Sequence, residues 1–127
     1  VKTVVLDPGA LIALERGSPP VRGYVLLADR RHVALTTSAA VVAQVWRGGS
    51  RQARLARLLA SGLVTEQPLD SEASRRIGLL AAAAPGARDV VDGHVATIAL
   101  DRDAIVLTSD PEDIARWGVP IANIVPC

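Results

Sequence analysis

Three aspartates stand where a strand gives way to a helix or where a helix begins: Asp7 in KTVVLDPG, Asp92 in RDVVDGHVATIAL and Asp110 in AIVLTSDPED. A parallel strand that ends on a carboxylate presents it at the carboxyl edge of the sheet, where ligands bind in open α/β folds. Carboxylates gathered at that edge repel and raise one another's pKa. A hard divalent cation, Mg²⁺ or Mn²⁺, resolves the repulsion, because carboxylate oxygens and water are its preferred ligands. Held there, it would activate a water and neutralise charge on a phosphoryl group during in-line attack. Each acid also has a plainer use. Asp92 is a favourable charge near a helix N-terminus, and Asp110 an N-cap. Capping explains either acid singly; it explains the joint arrangement less well.

The elements that must position these acids follow from the pattern along the chain. Residues 2–6 form a β-branched run that ends on Asp7, with Pro8 and Gly9 as breakers, which predicts a buried strand and a turn. A short helix is expected over 10–16, Pro8 fitting a first-turn position. Helical spacing of Val21, Tyr24, Val25 and Ala28 predicts a second helix over 21–31. A strand follows at 33–36, then a helix at 39–47 capped by Ser38 and stopped by Gly48-Gly49. Leu55, Leu58 and Leu59 share one face of a helix at 51–60. A third strand is expected at 63–66. Helices at 70–84 and 89–100, a strand at 105–107, a short helix at 111–116 and a last strand at 121–125 complete the chain. Strands alternate with helices and no hairpin signal appears. The expected fold is therefore a single α/β domain over 1–127, a central parallel β-sheet flanked by helices on both faces.

Composition sets the bounds. A chain of 127 residues buries a core without staples, and with no Phe and two Trp that core must be aliphatic. Between Arg16 and Arg57 the charges are all arginine but for a lone Asp29, whereas acids dominate from Glu66 to Asp113. A basic half beside an acidic one suits a polyanion bound near a cation, although a solvated surface gives the same pattern. The single cysteine, Cys127, fits a reducing cytoplasm. No apolar run approaches the roughly 20 residues of a membrane span, so a soluble cytoplasmic protein is expected.

On VVLDPGALIALERG, TTSAAVVAQVWRG, DVVDGHVATIAL and IVLTSDPEDI the chain resembles a PIN domain over its whole length, and within that group the short VapC-type toxins of bacterial toxin–antitoxin pairs. The resemblance implies an Mg²⁺- or Mn²⁺-dependent endoribonuclease that cleaves RNA phosphodiesters, forms a homodimer and is inhibited by a partner antitoxin. The family's three acids map onto Asp7, Asp92 and Asp110, which makes these the implied catalytic and metal-binding residues. The hydroxyl two residues before the last acid maps onto Thr108, which would hold a water of the cation's shell.

One position departs from the family pattern. Where the helix after the second strand usually carries Glu, this chain has Gln44, which can accept a hydrogen bond but contributes no charge. One fewer carboxylate weakens cation affinity. Asp89, three residues before Asp92 and on the same helical face, could replace the missing charge or simply cap its helix. The competing reading is a PIN-like module that has lost catalysis through Gln44 and acts by binding RNA or a partner protein. A receiver domain is a poor match, since the only lysine is Lys2, and a dehalogenase-like phosphatase is poor because Gly9 stands where a second Asp is needed. His94 is two positions past Asp92, which predicts a packing or surface role. Asp113 either reaches the rim of the site or serves its own helix start. Arg47, Arg51, Arg54 and Arg57 are candidates for RNA phosphates, with Arg47 and Arg51 foremost. Trp46 could stack a base, but burial in its helix is the commoner use.

Overall fold

In a computed structural model describing residues 1–127, the central strand β1 (Lys2–Leu6) carries Val4, Val5 and Leu6 in succession, all fully buried. Consecutive side chains of a strand point to opposite faces, so both faces of the sheet are covered. This is the expected signature of a parallel sheet between helical layers.

The other strands are β2 (Val33–Ser38), β3 (Val64–Gln67), β4 (Ile105–Thr108) and β5 (Ile124–Pro126). They form one sheet in the order β3-β2-β1-β4-β5, with every pairing parallel. The helices are α1 (Pro8–Glu15), α2 (Pro19–Asp29), α3 (Ala39–Val45), α4 (Ala53–Ala60), α5 (Ser71–Ala83), α6 (Val90–Arg102) and α7 (Pro111–Arg116). α6 lies across β1, β2 and β4 with α5 beside it, while α1 packs on β1 and β4, and α2 on β2. The chain builds outward from β1 through β2 to β3, then returns to the other side for β4 and β5. The switch in direction falls between β1 and β4, so the crevice for a ligand opens at the carboxyl ends of those two strands.

The core is aliphatic as expected, with one aromatic exception: Trp117, 2 % exposed. It packs where α6 carries Gly93, and a Cβ there would come within 2.7 Å of the indole and 2.8 Å of Ile77 Cγ2. The glycine is therefore the reason α7 can approach α6.

Several boundaries differ from the sequence expectation. α3 stops at Val45, not at 47, because Trp46 turns extended and the side chain of Gln52 takes the backbone N–H groups of Arg47 and Gly48. Trp46 is consequently exposed, not buried in an apolar helix. The helix expected from 51 opens as a 3₁₀ turn at Ser50–Gln52. The last strand is confined to Ile124–Pro126, since Ile121–Asn123 form a 3₁₀ turn after Pro120.

Candidate active site

Asp7 follows β1 directly and is 2 % exposed. Its Oδ1 accepts the N–H of Ala10 at 2.9 Å and so caps α1, with Pro8 in the first turn. Its own N–H donates to the carbonyl of Leu107 on β4 at 3.2 Å, which fixes it at the switch point. Burial raises its pKa, and the charge of Asp110 adds to this. The Thr108 hydroxyl and the N–H groups of Ala10 and Gly9 act in the opposite direction. Thr108 thus serves both acids: it faces Asp7, and its Oγ1 accepts the N–H of Asp110 at 2.8 Å. The hydroxyl is fully buried, whereas Asp110 is exposed at the surface of the loop.

Asp92 lies in the first turn of α6, half-buried, and its pKa is pushed up to about 7. Burial is the main cause, followed by the charges of Asp89, Asp113, Asp7 and Asp110. All the acids proposed from the sequence therefore act on this one side chain. The ranking is informative, because Asp89 and Asp113 weigh more on Asp92 than Asp7 and Asp110 do. Asp89 is the N-cap of α6, its Oδ1 accepting from Val91 at 2.8 Å and from Asp92 at 3.1 Å. Asp113 pairs with Arg116 at 3.0 Å. Asp89, Asp92 and Asp113 share a cleft with Arg88 and Arg116, and Asp113 also borders the neighbouring hollow of Asp110. Asp113 is thus at the rim, one of the two uses the sequence left open.

No three His, Cys, Asp or Glu side chains converge closely enough to make a ready coordination set. The donors nevertheless suit a hard cation chemically. They are carboxylates, the charges of their neighbours raise the pKa of Asp7 and Asp92, and a divalent charge is what lowers that cost.

His94 is buried, and its Nδ1 lies 2.6 Å from Ser38 Oγ, the hydroxyl that caps α3 through the Ala40 N–H. It ties α6 to the end of β2, in line with the packing role expected of it. Gln44 is exposed and lines a different cleft, between α1 and α3, together with Arg47 and Arg51. Sequence reasoning missed Arg88 and Arg116 at the acid cleft, although Asp113 and Arg116 are three apart on one helix, a spacing that brings side chains together. It also missed Cys127, whose N–H donates to Thr108 O at 2.9 Å and whose thiol is raised to about 11 by burial and by Asp7.

A family model described as "PIN domain" matches residues 4–118. No curated protein matches the chain. Among solved structures, VapBC2 from Rickettsia felis bound to a DNA fragment from its promoter matches with a TM-score of 0.70 and 14 % identity, covering 98 % of each chain. FitAB bound to an IR36 DNA fragment gives a TM-score of 0.63 at 17 % identity, over 97 % of this chain and 94 % of that one. FitAcB from Neisseria gonorrhoeae gives 0.61 at 19 % identity, over 91 % and 94 %. At these identities the likeness is one of fold. No helix is long and apolar enough to cross a membrane.

Proposed function

The chain belongs to the PIN domain family, and from that premise we propose that it is a metal-dependent endoribonuclease of the VapC type, the toxin of a toxin–antitoxin pair. Proteins of this family are in general nucleases that depend on divalent cations. The observation that carries the reading is the meeting of Asp7 and Asp110 at the β1/β4 switch point, with Asp92 raised to about 7 by burial and by the surrounding carboxylates. A partner antitoxin is supported by the likeness to the chains of VapBC2 and FitAB. Homodimerisation and a cytoplasmic setting belong to the same proposal.

In this reading Asp7, Asp92 and Asp110 would hold Mg²⁺ or Mn²⁺. The cation would supply a nucleophilic water and charge neutralisation at the scissile phosphate. Asp7 is fixed in orientation by the Ala10 N–H, and Thr108 sets its direction relative to Asp110. Asp92, raised to about 7 in the metal-free protein, would give up its proton as the cation binds. Arg88 and Arg116, on the acid cleft, are placed to meet a phosphodiester that enters it. Asp89 is spent on its helix cap, so its contribution to the site is through its charge on Asp92. The purely binding module rested on Gln44 alone, and membership of a family that is in general one of nucleases does not favour it.

The test is incubation of single-stranded RNA with the protein in Mn²⁺, in Mg²⁺ and in EDTA, beside Asp7→Asn and Asp110→Asn. Cleavage that needs the cation and is lost in both variants is expected. Absence of cleavage by the parent protein in either metal, or equal cleavage by the variants, would contradict the proposal.

A further inference from the structure

None of the arginines between Arg16 and Arg57 takes part in an ion pair; the pairs of the molecule are Lys2–Asp103, Arg76–Asp101 and Arg116–Asp113. Three of the unpaired guanidiniums, Arg16, Arg47 and Arg51, surround one cleft of about 350 Å³ between α1, the end of α3 and the turn that follows. The floor of that cleft is Gln52, 5 % exposed and bonded at every position of its amide. Its Oε1 accepts the N–H groups of Arg47 at 2.8 Å and Gly48 at 2.9 Å. Its Nε2 donates to Val45 O at 2.9 Å and to Glu15 Oε2 at 3.3 Å. One side chain therefore ends α3, shapes the 47–49 turn that presents Arg47, and engages Glu15, the cleft's only carboxylate. A buried amide with all its bonds made holds a single geometry.

We infer that this cleft is a phosphate subsite for the RNA backbone to one side of the cleaved bond, with Arg16, Arg51 and the free part of Arg47 as its contacts and Gln52 as the residue that positions Arg47. The inference rests on the ribonuclease reading above. The cleft is joined to the acids by α1, which starts from Asp7 and ends beside Arg16, a run of roughly 13 Å at about 1.5 Å per residue. It is thus removed from the scissile phosphate but in reach of the same strand. Arg47 spends part of its guanidinium on the carbonyls of Ala43 and Trp46 at the end of α3, whereas Arg16 and Arg51 make no side-chain bond. Beside Arg47, Trp46 is 41 % exposed. Trp46 adjoins Arg47 in the chain and lies outside the lining of the cleft; charge along the backbone and stacking of a base on an aromatic ring are the combination by which single strands are held. An acidic protein segment would use the same charges but has no need of the indole.

Binding of a fluorescein-labelled single-stranded RNA of mixed sequence, followed by anisotropy in EDTA over a range of salt, separates binding from cleavage. Arg16→Ala and Arg51→Ala should each weaken binding and lower the slope of log affinity against log salt by about 0.7, the value for one lost phosphate contact on a single strand. Arg30→Ala, on the far end of α2, should change neither. Gln52→Ala should weaken binding and lower the slope with little further loss when combined with Arg47→Ala; the Arg16 and Arg51 variants, exposed side chains that make no bond within the protein, cover the case in which Gln52→Ala fails to fold. Arg16 and Arg51 variants that bind like Arg30→Ala would overturn the subsite, whether or not the protein cleaves RNA. Binding that depends on these arginines, with no cleavage in Mn²⁺, would leave the subsite standing and remove the ribonuclease. Capture of polyglutamate through the same arginines, with no RNA bound, would overturn the assignment in favour of an acidic protein segment.

Discussion

Gly9 lies against Ser109 so closely that a Cβ at position 9 would overlap the Ser109 hydroxyl and stand 3.0 Å from its backbone nitrogen. These two residues belong to the turns that carry Asp7 and Asp110, so their contact sets how near the two acids can be. Gly9→Ala must push the turns apart, with an overpacking cost of about 1–3 kcal/mol. The expected outcome is a folded protein with a lowered melting midpoint and a cation affinity reduced well beyond what the stability change alone produces. Melting and Mn²⁺ titration of the same sample check both parts.

The raised pKa of Asp92 has a definite sign in stability. Between its ordinary 3.8 and about 7 the folded protein holds a proton that the unfolded chain has released. Stability of the metal-free protein therefore falls as pH rises through that window, and the full cost is present above it. Asp7, also raised, acts in the same direction. With Asp92 only half-buried, solvent screening limits its share to on the order of 1–2 kcal/mol. Melting midpoints in EDTA should decline from about pH 4 to about pH 7, and Asp92→Asn should flatten the decline.

His94 gives the opposite trend. Burial lowers its pKa below the ordinary 6.5, with Asp70 partly opposing. The unfolded state then binds the proton more readily, so stability is lost as pH falls below about 6.5. Its bond to Ser38 also holds α6, and with it Asp92, against the end of β2. His94→Leu should remove the acid-side loss in urea titrations while costing about 1 kcal/mol at neutral pH for the hydrogen bond.

Gln44 is exposed and lines the cleft of Arg47 and Arg51, apart from the acids. Gln44→Glu should therefore leave the fold and the Mn²⁺ concentration needed for half-maximal RNA cleavage unchanged, and weaken RNA binding in EDTA by adding a negative charge among the arginines. A metal requirement lowered several-fold would show that position 44 takes part in cation binding.

The strands that end on acids were legible because their signals are local. The residues 2–6 and 111–116 fall within the observed β1 and α7, and Asp89 is the N-cap that its place before α6 suggested. What brings Asp7 beside Asp110 is the strand order β3-β2-β1-β4-β5, and nothing in a run of β-branched residues states its neighbour. The end of α3 was misread for a related reason. Helical periodicity continues through Arg47, but the helix is ended by Gln52, a side chain five residues from Arg47 whose role appears only once the turn has formed. The weight of Asp113 on Asp92 likewise depends on α7 packing against α6 at Gly93 and Trp117. Pairing across elements, not composition, decides these features.

The proposed function requires Asp7, Asp92 and Asp110 together to hold a divalent cation. Calorimetric titration of Mn²⁺ into the metal-free protein, beside Asp7→Asn, Asp92→Asn and Asp110→Asn, tests it most directly. Saturable binding by the parent protein is expected, with a large loss of affinity in each variant while the fold is kept. Undiminished binding in the variants, or no binding by the parent protein at millimolar metal, would contradict it.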